Sequence, residues 1–394
     1  MSTKLQNKEE REANRIANKK KALRQCASIF NGGLKLMLSI PYWVGRRIGM
    51  EDMSCNLLMP FAEAVEMKSN CFVTYNLYPK ETKNQNNWLY YASTNAKKFC
   101  IVIQGPILKK YDFTLETVRY YGKIYPDVLV IVSTWETENQ EYLKKFQNEK
   151  NCIILLNKQP DYPGNGNINY QIVSSLEGMK EAMRLGKNYI LKTRSDTRVT
   201  ASGILEVLYQ YVKQYTLTGT AMEKQKDRLV FFNMFLFHPY HISDFFCFGA
   251  VEDMINFYDV EWNKEEKIDN AANRMIANKW SYRDLFNNPN GENEICMKYF
   301  KKINGDVHCD LQEWWDVLEH NVVALPLNFI KPIWIKYDYN HEESNFYVTF
   351  RRKIMGGDGL DNTKVDFNMW IDMYNSKFQI KAKDYEYILD LPLS

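Results

Sequence analysis

Between residues 99 and 199 the chain alternates short, wholly apolar runs with longer amphipathic stretches. FCIVIQGPI at 99–107 reads as a buried strand that stops at Gln104-Gly105-Pro106, since Gly and Pro end a strand and let a backbone turn approach a ligand. A helix is predicted over 114–125, with Thr114 as N-cap and Glu116 in its first turn. The β-branched run 128–132 predicts a second strand ending in Ser133-Thr134-Trp135, a helix follows over 139–149, and 152–156 reads as a third strand. A helix over 168–185, stopped by Gly186, leads into the strand Tyr189-Ile190-Leu191.

Strand and helix in strict alternation predict an α/β fold, a Rossmann-type, mostly parallel central sheet flanked by helices on both faces. Every strand then ends in small or polar residues, and those ends share one edge of the sheet, where open α/β sheets bind ligands. Lys192, Thr193, Arg194, Ser195 and Asp196 crowd the end of the fourth strand and mark the floor of a site. Neither GxGxxG nor GxxxxGK[ST] occurs, so neither a dinucleotide fold nor a P-loop is indicated.

The second half is less regular. Residues 228–237 read as a strand, His238 to His241 as a turn, 250–258 as a helix, 289–292 as a turn and 294–301 as a helix. LQEWWDVLEHN at 311–321 is helical in pattern, and 322–337 reads as one or two strands. The expected division is a basic tail and helical extension over 1–97, a catalytic domain over 98–345 and a mixed C-terminal extension over 346–394.

Charge alters the picture only when divided along the chain. The net +3 conceals a tail, residues 1–24, with eight Lys or Arg against three Glu; the remainder is slightly acidic, which excludes a general nucleic-acid binder. Behind the tail lies an aromatic and basic segment reaching Arg47, so residues 1–47 either rest on an anionic membrane surface or pack on the body. No run is long enough to span a bilayer, and the 34–45 run lacks the form of a signal peptide. Eight scattered cysteines without a CxxC read as reduced thiols of a cytoplasmic protein, peripheral at the inner face of the membrane if the tail binds there. Aromatics at 14% favour a carbohydrate or nucleotide ligand, because exposed rings stack on sugars and bases.

Candidate chemistry comes with alternatives. Asp196 can hold Mg²⁺ or Mn²⁺ together with a diphosphate; alternatively it pairs with Arg194 or Arg198, or caps the segment at 195–201. Lys192, Arg194 and Arg198 suit phosphate or structural ion pairs, with Lys192 expected on the face opposite Thr193. Asp244 and Glu294 are candidate general bases, against a buried hydrogen-bonded Asp and a helix-start Glu. His238 and His241 read as turn or core histidines.

The ordered set IVIQGPI (101–107), VSTW (132–135), NINYQIVSSLEGMKEA (167–182), YILKTRSDTRV (189–199) and ISDFFCFG (242–249) resembles the WavE lipopolysaccharide synthesis family of bacterial glycosyltransferases. The resemblance covers about 99–300. It implies a GT-A-like fold, a nucleotide-sugar donor and a glycan or lipid-linked acceptor in lipopolysaccharide or capsule assembly. By position, Arg194-Ser195-Asp196 looks like the DxD metal motif with its first Asp replaced, leaving Asp196 as the metal ligand and Arg194 beside it to replace part of the charge. Gln104, Gly105, Pro106, Ser133, Thr134 and Trp135 would contact the nucleoside, and Asn169 and Gln171 the sugar or diphosphate, with Arg194 and Ser195 completing the donor site. Two rivals remain: a nucleotidyl- or phosphotransferase on a similar sheet, and a noncatalytic glycan-binding protein.

Overall fold

The computed structural model describes residues 63, 64, 66, 67, 95–243, 245–264, 280–289, 291–335 and 363–392. The chain divides into two compact units, 1–79 and 80–394. Of the first, Glu63, Ala64, Glu66 and Met67 are described, all helical. The expected membrane segment, residues 1–47, lies outside the described residues.

In the second unit, β1 (Phe99–Gln104), β2 (Leu129–Trp135), β3 (Cys152–Asn157) and β4 (Tyr189–Arg194) are parallel and lie in the order β3-β2-β1-β4. The sheet continues past β4 through three later strands. β6 (Leu229–Phe232), β7 (Cys247–Ala250) and β8 (Val322–Leu325) extend it in the order β7-β6-β8, with β7 alone antiparallel to its neighbours. A separate ribbon pairs β5 (Thr197–Val199) with β9 (Pro332–Trp334). All six residues of β1 are buried, as continuous apolar runs require when helices cover both faces. The α/β fold with a mostly parallel central sheet is therefore as the sequence predicts.

Among the described residues of this unit the α-helices are α1 (Phe113–Ile124), α2 (Gln140–Leu143), α3 (Ile168–Arg184), α4 (Ile204–Gln214), α5 (Val251–Tyr258), α6 (Tyr282–Asn287), α7 (Gly291–Asn304), α8 (Leu311–His320) and α9 (Phe367–Tyr374). α3 fits closely against the sheet at Gly178, where a Cβ would stand 2.6 Å from Val102 Cγ1. The β8 edge is covered: Trp370 of α9 is fully buried and donates its indole N–H to Leu318 O at 2.9 Å. No helix among the described residues is long and apolar enough to cross a membrane.

Several predicted elements differ in extent. Thr114 is not an N-cap; the cap position is Asp112, in left-handed backbone, and Thr114 lies inside the first turn of α1. The 139–149 stretch is helical only as α2 and a following 3₁₀ turn, because Leu143 and Phe146 are its only buried residues and make too narrow an apolar stripe. The 228–237 strand ends at Phe232, since Asn233 takes φ +64° and turns the chain to pair with the C-terminal segment, Leu236 N donating to Thr363 O and Val365 N to Met234 O. Residues 133–135, expected to end β2, extend it to Trp135.

Asp253 of α5 is 2% exposed and accepts backbone N–H bonds from Lys226 and Asp227. Burial pushes its carboxyl up from 3.8 to about 6, against the pull of those donors. The folded state thus holds a proton that the unfolded chain has released between those values, so this stability is present below pH 3.8 and lost as pH rises through 6. Two pH units correspond to about 3 kcal/mol. Asp253→Asn is expected to flatten that fall, measured as unfolding midpoints at acid and neutral pH; an unchanged slope would contradict the assignment.

Candidate active site

The strand order reverses between β1 and β4, because the chain runs outward from β1 through β2 to β3 and then crosses to the other side of β1. In open α/β sheets ligands bind at such a reversal, in the crevice outside the carboxyl ends of the strands. Gln104, Gly105 and Pro106 leave β1; Arg194, Ser195 and Asp196 leave β4; Ser133, Thr134 and Trp135 end β2. The structure brings these three predicted groups to one edge.

Most of their polar atoms are used internally. Ser195 N donates to Gln104 O at 2.9 Å, and Gly105 N to Ser133 O at 3.1 Å, so the β1 loop is tied to both neighbours. Gly105 takes φ +106°, and a Cβ there would sit 3.3 Å from Ser195 Oγ, which explains glycine at this turn. Gln104 Oε1 accepts from Ser174 Oγ at 2.9 Å, and Ser133 Oγ from Asn157 Nδ2 at 2.8 Å. Thr134 Oγ1 donates to Glu138 Oε1, which also accepts Ile107 N. Trp135 is buried edge-on against Tyr170, centroids 5.2 Å apart. Pro106 is exposed at the rim.

Arg194 and Asp196 form a two-pronged pair, Nε to Oδ1 at 3.0 Å and Nη2 to Oδ2 at 3.2 Å. Trp334 Nε1 also donates to Asp196 Oδ2, at 3.2 Å, and the guanidinium lies 5.5 Å from the Phe245 ring centroid and 5.9 Å from that of Trp334. Of the two partners open to Asp196, Arg194 is the one it takes. Arg198 is buried elsewhere, donating to Thr117 Oγ1 with its charge over the Phe113 ring. Lys192 is buried with its ammonium over Tyr258, whereas Thr193 Oγ1 bonds Thr197 Oγ1. Among the described residues, no group of three or more His, Cys, Asp or Glu side chains is placed to hold a metal ion.

Asn169 and Gln171 open α3 beside the same strand ends. Asn169 is wholly buried; its Nδ2 donates to Tyr162 O at 2.8 Å and its Oδ1 accepts Asn263 N at 2.9 Å. That amide is a latch for two loops. Gln171 differs, since its Oε1 is buried without a hydrogen-bond partner. A buried acceptor left unmatched is costly, so this atom suits a ligand hydroxyl or N–H.

Glu294 sits in the first turn of α7, whose start packs on that of α3: Gly291 lies against Ile168, and Asn165 Nδ2 donates to Pro289 O. Glu294 Oε1 accepts from Lys298 at 2.6 Å and its Oε2 from Asn263 Nδ2 at 2.7 Å, which links it through Asn263 to Asn169. A cleft of about 450 Å³, lined in part by Met297, Lys298, Val307 and His308, opens beside it. The structure thus joins Glu294 to the α3 start rather than to Asp196. Asp244 lies outside the described residues. His238 and His241 are buried and stacked, centroids 4.4 Å apart, and bridged by Asn293, which makes them core histidines. Cys100, Cys152, Cys247, Cys296 and Cys309 are unpaired thiols.

Three residues important to this geometry have no site role in the sequence pattern. Trp334 and Phe245 enclose Arg194, and Thr114 clamps the two crevice loops, accepting Leu108 N and donating to Ser195 O, both at 2.9 Å.

The fold defines an α/β protein whose polar strand ends gather at the reversal point of its sheet. The profile of the WavE lipopolysaccharide synthesis family matches residues 99–387, and the chain belongs to that family. No curated protein matches. Solved structures are similar as well, two of them as follows. The mannose-1-phosphate geranyltransferase of Thermus thermophilus is 14% identical with a TM-score of 0.22, over 35% of this chain and 41% of that one. The cytidylyltransferase of Leptospira borgpetersenii serovar Hardjo-bovis is 10% identical with a TM-score of 0.31, over 75% of this chain and 99% of that one.

Proposed function

We propose that the chain is a GT-A-like glycosyltransferase that moves a sugar from a nucleotide-sugar to a glycan or lipid-linked acceptor in lipopolysaccharide or capsule synthesis. The observation that carries this reading is the gathering of the β1, β2 and β4 ends at one edge, where the strand order reverses, with Arg194 among them and the α3 start beside them. A nucleoside diphosphate needs an edge of that kind with fixed positive charge, and the α3 dipole adds to it. The family supports the setting in lipopolysaccharide synthesis.

In the proposed reaction an acceptor hydroxyl attacks the anomeric carbon, the bond to the diphosphate breaks, and charge grows on the leaving oxygens. Arg194 stabilises that charge from a fixed position. Gln171 Oε1 receives a donor hydroxyl or N–H. Glu294 or Asp244 takes the acceptor's proton, with the cleft beside Glu294 as the acceptor's approach. Basic residues within 1–47 would hold the enzyme to the inner face of the membrane.

The test is to incubate the full chain with a panel of nucleotide-sugars and a lipopolysaccharide-core acceptor, following released nucleoside diphosphate and acceptor mass. Release from one donor with a matching mass gain is expected. Pyrophosphate from a nucleoside triphosphate and a sugar phosphate would instead assign nucleotidyl transfer, and no product in either assay would favour a glycan-binding protein. Gln171→Leu, nearly the same size, is expected to raise KM for the donor about tenfold, the scale of one matched polar contact. An unchanged KM would remove Gln171 from the donor site.

A further inference from the structure

The GT-A resemblance implies a divalent cation at Asp196, and the side chains around that carboxylate do not suit one. Both Asp196 oxygens accept hydrogen bonds, from Arg194 Nε and Nη2 and from Trp334 Nε1. A dication binding there would have to displace a guanidinium 3.0 Å away and then remain beside its like charge. The motif also supplies one carboxylate where two would share the ion.

The guanidinium, by contrast, is built in. It is fixed along one edge by a two-pronged carboxylate and lies near the Phe245 and Trp334 rings, which themselves meet at 62° with centroids 4.1 Å apart. Such an enclosure fixes the plane of the charge and leaves it partly desolvated, with 20% of its side chain exposed. A planar, weakly hydrated fork matches the geometry of phosphate oxygens.

We infer that the crevice binds a nucleoside diphosphate group without a metal ion, Arg194 supplying the positive charge and Asp196, Phe245 and Trp334 setting its position. This rests on the donor-site reading above and names the source of its charge.

Calorimetric titration of the full chain with UDP, GDP, ADP and CDP, each with Mn²⁺ and again with EDTA, tests it. The nucleotide that binds is expected to do so with affinities within about threefold in the two conditions, and Arg194→Gln to weaken both by about tenfold or more, the scale of a lost charge-assisted contact. Arg194→Asp would place two carboxylates around Ser195, and its residual binding is expected to become Mn²⁺-dependent. Wild-type binding that requires Mn²⁺, or Arg194→Gln binding as tightly as wild type, overturns the inference while leaving the donor site standing. Failure of all four nucleotides to bind in either condition overturns both. The wild-type comparison needs no variant to fold, so a misfolded Arg194→Asp does not protect the idea.

Discussion

Asp196→Ala is expected to lower kcat for sugar transfer by about 100-fold, the usual cost of losing one positioned charge contact in a transition state. Asp196 accepts the Nε and Nη2 bonds of Arg194 and the indole N–H of Trp334, so its removal leaves the cation present and no longer aimed. Ground-state binding depends less on aim than transition-state stabilisation does. Affinity for the nucleoside diphosphate is therefore expected to change by less than about threefold, a split between kcat and binding that marks a positioning residue. The pair is only partly exposed, so unpairing its donors also costs about 1–3 kcal/mol of stability, read as a lower unfolding midpoint. A fold-stabilising salt bridge alone would show that midpoint change with kcat intact. Near-normal turnover in a folded Asp196→Ala protein would remove the pair from the chemistry.

The two halves of this site were unequally legible in the sequence. β1, α3 and β4 announce themselves, because a strand buried on both faces must be apolar at every position and a covering helix must repeat at 3.6 residues. The edge where polar residues gather follows from that alternation. What each polar residue does there does not follow, since a side chain at a strand end can meet a ligand or a neighbouring loop. Asn169 is expected at the sugar or diphosphate, and its amide bonds Tyr162 and Asn263; Ser133 and Thr134 brace Asn157 and Glu138. Trp334 reaches Asp196, 138 residues away in the chain, only because β5 and β9 pair, and no local pattern encodes such a pairing. The Arg194–Asp196 pair, two residues apart, was visible as one of two alternatives, and only geometry chose between Arg194 and Arg198.

Arg228→Met is expected to cost about 3–5 kcal/mol of folding stability, the range for stripping one partner from a buried charged network. Arg228 is fully buried just before β6, and burial pulls its guanidinium down to about 10, still protonated at neutral pH. Its donors bind Thr216 O at 2.9 Å, Glu319 O at 2.6 Å, Val322 O at 3.1 Å and Thr218 Oγ1 at 3.1 Å. The Trp370 and Tyr374 rings lie 5.7 and 4.9 Å from its charge. One side chain thus joins the segment after α4, the end of α8, the start of β8 and the face of α9. Methionine fills much of the volume and leaves the three carbonyls without their donors, each a penalty of about 1–3 kcal/mol before local relaxation. Urea unfolding should show a lower midpoint with a similar slope, and amide exchange should rise most in α9. Arg228→Lys, which keeps the charge and loses the fork, should fall between the two. A loss below about 1 kcal/mol would mean that water replaces the guanidinium at these carbonyls. Because β6 and β8 run parallel to β4, Arg228 and Val322 mark the sheet edge opposite the crevice. The surviving folded fraction should therefore turn over donor at the wild-type rate, the reverse of the pattern expected for Asp196→Ala.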